Sequence, residues 1–122
     1  MISRRRLLEL AALALAPARA VAHAVLADAV PAPGARLGRP PGRVTLRFSE
    51  RLEPAFARLA VHDATGRRID RGDTAVVPGD RRGLAVSLPP LGPGQYTVRY
   101  RVLSVDGHVV EAAYTFSIDP PR

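Results

Sequence analysis

Three histidines, His23, His62 and His108, are the side chains of this sequence best suited to holding a metal ion, and the last closes the tripeptide Asp106-Gly107-His108. Cysteine is absent, which removes disulfides, thiolate ligands and a cysteine nucleophile. Any bound metal must therefore be held through nitrogen and oxygen. The Asp106 carboxylate and the His108 imidazole, two residues apart, can share one face if the backbone is extended, and Gly107 lets that backbone bend. Taken alone, the tripeptide also reads as a hairpin turn followed by a surface histidine.

The start of the chain supplies a further partner. Arg4, Arg5 and Arg6 precede an apolar run from Leu7 to Ala16, which leads through Pro17 to the small-residue pattern Ala20-Val21-Ala22. This is the three-part layout of an export signal, and its apolar run falls well short of the roughly 20 residues that a spanning helix needs. Ser3-Arg4-Arg5-Arg6-Leu7-Leu8 resembles a twin-arginine signal, although the ordinary secretory route accepts the same layout. The favoured cut follows Ala22, and a cut after Ala20 also satisfies the small-residue rule. The expected organisation is a signal peptide at 1–22 and one domain at 23–122, exported to the periplasm without a membrane anchor.

A cut after Ala22 makes His23 the first residue. On its own, a histidine beside a cleavage site is commonplace. With Asp106 and His108 it becomes chemically pointed, because its free amine and its ring nitrogen can close a chelate whose geometry covalent bonds already set. Such a pair loses less conformational freedom on binding than two separate side chains. A second imidazole and one carboxylate oxygen complete a set of three nitrogens and one oxygen, which suits tetragonal Cu(II) better than tetrahedral zinc. One Cu(II) ion per exported chain is the expectation.

The elements that must position these ligands read as strands. Val44, Leu46 and Phe48 alternate with Thr45, Arg47 and Ser49; Leu84, Val86 and Leu88 share one face; Tyr96, Val98, Tyr100 and Val102 alternate with Thr97, Arg99 and Arg101. Further strands are expected at 24–29, 59–62, 74–77 and 112–118, with Asp63-Ala64-Thr65-Gly66 as a hairpin connection. Prolines such as Pro31, Pro40, Pro89 and Pro93 fall in the connections, where a missing backbone donor harms no sheet. About seven strands predict an all-β fold, an immunoglobulin-like β-sandwich or Greek-key β-barrel. Tyr96, just after the Pro93-Gly94 turn, fits a tyrosine corner.

Charge excludes one class of partner. Of 18 basic residues, all arginine, and 11 acidic ones, the signal carries Arg4, Arg5, Arg6, Arg19 and Glu9, so the exported part holds 14 and 10, a net charge of +4. Those arginines are scattered, and the basic stripe with interleaved aromatics that nucleic-acid binding requires is missing.

The ordered motifs resemble the CopC family of periplasmic copper-binding proteins. The resemblance is carried by His23-Ala24-Val25-Leu26 with Pro31 and Gly34, by Leu46-Arg47-Phe48-Ser49-Glu50, by Leu91 through Tyr96, and by Val102 through His108 with Phe116. It implies Cu(II) ligation by the amine and ring of His23, by Asp106 and by His108, with Glu50 an outer ligand or an orienter of an imidazole. Glu50 reads equally as a solvated charge ending a strand. The family often has Pro directly after the late histidine and Gly four residues after it, where this chain has Val109 and Ala112. Met1 is the sole methionine, so a methionine-rich Cu(I) site of the kind some relatives carry has no ligands here. His62 has no counterpart and is read as a surface strand residue.

The expected function is a monomeric copper carrier or buffer in copper tolerance or homeostasis, without catalytic turnover. Its expected partners are the copper ion and an inner-membrane importer of the CopD type or other periplasmic copper proteins. Two alternatives stay open from the residues alone. A histidine-brace copper oxygenase acting on polysaccharide also uses an N-terminal histidine, but Trp is absent, and a carboxylate ligand occupies a position oxygen chemistry wants open. A metal-free interaction module on the same sandwich is the other.

Overall fold

The computed structural model describes residues 25–122; the expected signal peptide and His23 lie outside the described residues. Among the described residues there are eight strands: β1 (Leu26–Val30), β2 (Arg36–Leu37), β3 (Arg43–Phe48), β4 (Arg58–Asp63), β5 (Ala75–Val77), β6 (Asp80–Ser87), β7 (Gly94–Leu103) and β8 (Val109–Ile118). They form two four-stranded sheets, ordered β1-β3-β6-β5 and β2-β8-β7-β4. Pairing is antiparallel except between β2 and β8. The fold is the expected all-β sandwich, with β2 as the strand the sequence did not announce. Two residues are too few to show an alternation.

Period-two burial builds the core. Val44, Leu46 and Phe48 of β3, Leu84 and Val86 of β6, Leu59 and Val61 of β4, and Tyr96, Val98, Tyr100 and Val102 of β7 turn inward and are buried. Phe48 meets Tyr100 edge-on across the two sheets, with ring centroids 5.4 Å apart, a favoured aromatic geometry. Tyr96 donates its hydroxyl to the Gly92 carbonyl at 2.7 Å, so the tyrosine corner forms as expected.

The Asp63–Gly66 segment does reverse the chain: Gly66 N–H donates to the Asp63 carbonyl at 3.0 Å, and the Asp63 carboxylate accepts from the Thr65 hydroxyl. Past this reversal, β4 gains a single bridge, His62 to Arg68, and no full partner strand on that side. The chain instead leaves for the other sheet. Asp70 covers the edge of β4, its carboxylate accepting from Val61 N–H at 2.8 Å, Gly72 N–H at 2.8 Å and the Arg68 guanidinium at 2.9 Å. An edge closed in this way cannot template a further strand.

The sandwich end that matters for the metal ligands collects the beginning of β1, the end of β3 and the hairpin joining β7 to β8. Leu26 pairs with Phe48, and Leu103 with Val109. Between β3 and β4 the chain crosses from the first sheet to the second, Leu52 bridging to Ser104 before a 3-10 turn at Pro54–Phe56.

Candidate metal centre

Asp106 and His108 meet in the β7–β8 hairpin, and it is a bend, not an extended backbone, that brings them together. Ser104 N–H donates to the His108 carbonyl at 3.0 Å, and Gly107 N–H returns to the Ser104 carbonyl at 2.9 Å, leaving three loop residues between them. Gly107 sits at φ +93°, in the left-handed region that closes a three-residue hairpin loop of this kind. The two readings of the tripeptide therefore coincide: it is a hairpin turn, and the turn aligns a carboxylate with an imidazole. Asp106 Oδ1 lies 3.1 Å from His108 Nδ1, with the side chains 37% and 40% exposed, open enough for an ion to reach the pair.

Ser104 organises the turn from beneath. It is fully buried, and its hydroxyl donates to Asp106 Oδ1, which also accepts from His108 N–H at 3.3 Å. The Ser104 hydroxyl and then His108 hold the Asp106 carboxyl below its ordinary value, so the group stays anionic and available as a ligand. Sequence reasoning missed Ser104. Its signal was a small hydroxyl residue at an inward strand position two residues before a carboxylate.

His108 Nδ1 is enclosed and faces Asp106. A carboxylate beside Nδ1 favours the tautomer protonated there and leaves the Nε2 lone pair for a metal, the arrangement in which a second group fixes an imidazole ligand.

The crossing segment 49–52 connects this turn to the start of β1. Ser49 Oγ accepts from Val25 N–H at 2.9 Å, and Ser49 N–H donates to the Val25 carbonyl at 2.8 Å. Two residues on, the Arg51 carbonyl accepts from Val105 N–H at 3.0 Å. Val25 and the turn are thus tied to two ends of one three-residue stretch. His23 precedes Val25 by two residues and lies outside the described residues. Ser49 and Arg51 are the second contribution that sequence reasoning did not assign.

Glu50 lies in the middle of that stretch, half-buried, past the end of β3. Among the described residues no cluster of three or more His, Cys, Asp or Glu able to hold a metal is formed. His62 is far from this turn in the sheet, opposite Thr97 on β4 and β7; it is half-buried with Nδ1 enclosed, and so less superficial than expected. No helix among the described residues is long and apolar enough to cross a membrane.

Comparison with known proteins adds a family. A model described as the CopC domain matches residues 26–119. The chain is 37% identical over 98 residues to Protein YobA of Escherichia coli K12, covering 80% of this chain and 79% of that protein. It is 32% identical over 112 residues to Copper resistance protein C of Pseudomonas syringae pv. tomato, covering 85% and 86%. Among solved structures it is similar to CopC from Methylosinus trichosporium OB3b, with 36% identity and a TM-score of 0.72 over 82% of this chain and 97% of that one. It is also similar to PcoC, a methionine-rich copper resistance protein from Escherichia coli, with 25% identity and a TM-score of 0.71 over 80% and 100%.

Proposed function

This chain belongs to the CopC family, and from that membership we propose that it is a periplasmic Cu(II) carrier or buffer serving copper tolerance or delivery, with no catalytic turnover. Removal of 1–22 exposes the amine of His23. One ion is then held by that amine, the His23 ring, His108 Nε2 and a carboxylate oxygen of Asp106. Asp106 has two oxygens with separate duties: Oδ1 takes the Ser104 hydroxyl and faces His108 Nδ1, and the other reaches the metal. Glu50 acts from outside this set, as an outer ligand or as an orienter of an imidazole.

The observation that carries the reading is the double hydrogen bond between Val25 and Ser49, with the Arg51–Val105 bond beyond it. These contacts hold the residue two places after His23 at the sandwich end that bears Asp106 and His108. A donor set of two imidazoles, an amine and a carboxylate favours Cu(II), and the sole methionine, Met1, leaves the exported chain without soft ligands for Cu(I). The copper named in two relatives fits this donor chemistry. Delivery to an inner-membrane importer of the CopD type, by a monomeric carrier, completes the proposal.

The test is a Cu(II) titration of the protein beginning at His23 beside a form with one additional residue before it. That addition turns the amine into an amide and removes the chelate. The extended form should bind at least tenfold more weakly; equal affinities would eliminate the amine as a ligand. The mass of the exported protein fixes the cut independently.

A further inference from the structure

The outer face of the second sheet carries a basic groove that the copper ligands do not use. A cavity of about 540 Å³ is lined there by Arg58, Ala60, His62, Arg68, Arg99 and Arg101, with neighbouring residues. A second, of about 480 Å³, adjoins it and shares His62 and Arg99, with Asp63 at its wall. Strand register explains the shape. Arg58 lies directly opposite Arg101, and Ala60 opposite Arg99, on β4 and β7; Ala113 of β8 is opposite Arg99 on the other side. Two alanines thus make a low floor between long cationic side chains.

Charge in the groove is not balanced. Like charges directly opposite on paired strands cost stability, yet Arg58 and Arg101 occupy such a pair. Glu111 meets Arg101 at 3.6 Å, with both side chains exposed, and Asp70 engages Arg68 at 2.9 Å. Arg58 has no acid partner among the described residues and donates instead to the Ala55 and Ala57 carbonyls at 3.3 and 3.0 Å. Arg99 pairs through its backbone with the neighbouring strands, and its guanidinium has neither an acid nor a hydrogen-bond partner among the described residues. Within the same walls, His62 Nδ1 is enclosed without a hydrogen-bond partner among the described residues.

We propose that this groove binds a small organic or inorganic polyanion, a molecule with at least two carboxylate or phosphate groups. Guanidinium forks match such oxyanions in shape and charge. Arg99 and His62 take one group; Arg58 and Arg101 take the other. The volume suits a small molecule better than a single ion.

Titration of the purified protein with pyrophosphate, citrate, inorganic phosphate and chloride at matched ionic strength, followed by backbone amide NMR, tests this. Pyrophosphate or citrate should saturate, shift the signals of Ala60, His62, Arg99 and Ala113, and bind at least tenfold more tightly than chloride. The tighter of the two assigns the phosphate or carboxylate class. Arg99→Gln should weaken that binding at least fivefold with an unchanged unfolding midpoint. Arg36→Gln, at an arginine paired with Asp119 and outside the groove, should leave it as it was. Non-saturating shifts, or equal losses in the two variants, would overturn the proposal in favour of general attraction to a cationic surface.

Discussion

Ser49 and Val25 exchange two hydrogen bonds, side chain to backbone at 2.9 Å and backbone to backbone at 2.8 Å, across the point where β1 begins and β3 has ended. The side-chain bond lies beyond the last paired residues, Leu26 and Phe48, and extends the ordered contact toward the residue proposed as the first copper ligand. For the proposed chelate, this contact matters because it fixes Val25, two residues after His23 in the sequence, at the sandwich end that bears Asp106 and His108. Preorganisation of that kind raises affinity by lowering the entropy lost on binding.

Replacing Ser49 with Ala removes the hydroxyl acceptor and leaves the backbone bond. Loss of one such hydrogen bond costs about 0.5–1.5 kcal/mol. Cu(II) affinity should fall by about 2- to 10-fold, measured by competition with a chelator of known strength. An unchanged affinity would show that Val25 is not what presents His23.

Ser104→Ala tests the buried hydroxyl beneath the turn. The folded Asp106 carboxyl lies below its ordinary value, first because of Ser104 and then because of His108. A depressed carboxyl contributes stability above its unfolded value, near 3.8, and that contribution is lost as pH falls through the lower folded value. Without the hydroxyl the carboxyl should move up toward that ordinary value. Copper should then be released at higher pH in the variant than in the parent, read from the Cu(II) absorption band during acid titration. Coincident release curves would remove Ser104 from the site.

Gly107→Ala probes the bend itself. Nothing lies within 4 Å of an added Cβ, so the cost is conformational and comes from φ +93°. A left-handed backbone costs a non-glycine residue about 1–2 kcal/mol. The hairpin should lose about that much stability in denaturant unfolding, and Cu(II) binding should weaken with it, because the same bend sets the 3.1 Å approach of Asp106 to His108.

Copper should protect the fold. A ligand at one hundred times its dissociation constant stabilises a protein by about 2.7 kcal/mol. The thermal midpoint should rise by about 10 °C or more for a domain of this size and return when a chelator strips the ion. A midpoint indifferent to copper would favour a metal-free interaction module.

Asp70→Ala addresses the fold apart from the site. Although burial pushes the Asp70 carboxyl up, Arg68 and the N–H groups of Val61 and Gly72 outweigh it and hold the group below its ordinary value. Its contribution is present above about pH 3.8 and disappears as pH falls through the folded value. Removing it leaves Val61 N–H unpaired at the edge of β4, and about 2–4 kcal/mol should be lost at neutral pH. The difference between variant and parent should shrink in acid, measured by urea unfolding at several pH values.

The strands of the core were legible because alternation is a local property. Val44-Thr45-Leu46-Arg47-Phe48 and Tyr96 through Val102 declare which side faces inward without reference to the rest of the chain, and the structure buries those residues. The tyrosine corner was legible for the same reason, its partner Gly92 lying four residues away. β2 escaped notice because its pairing is with β8, more than seventy residues later, and two residues carry no period. The enclosure of His62 and the basic groove around it depend on the register of β4 against β7, which sets Arg58 opposite Arg101; no local pattern predicts that.

By itself the sequence determined the chemistry on offer: nitrogen and oxygen donors without thiolates, one carboxylate and one imidazole spaced about a glycine, and a histidine just after the small-residue pattern Ala20-Val21-Ala22. Side-chain chemistry and nearest-neighbour spacing are covalent facts. Only the tertiary structure decided how the Asp106–His108 turn relates to the start of β1, because Ser49 to Val25 and Arg51 to Val105 are contacts between segments that sequence leaves far apart. The same packing buries Ser104 beneath Asp106, where its hydroxyl holds the carboxyl below its ordinary value.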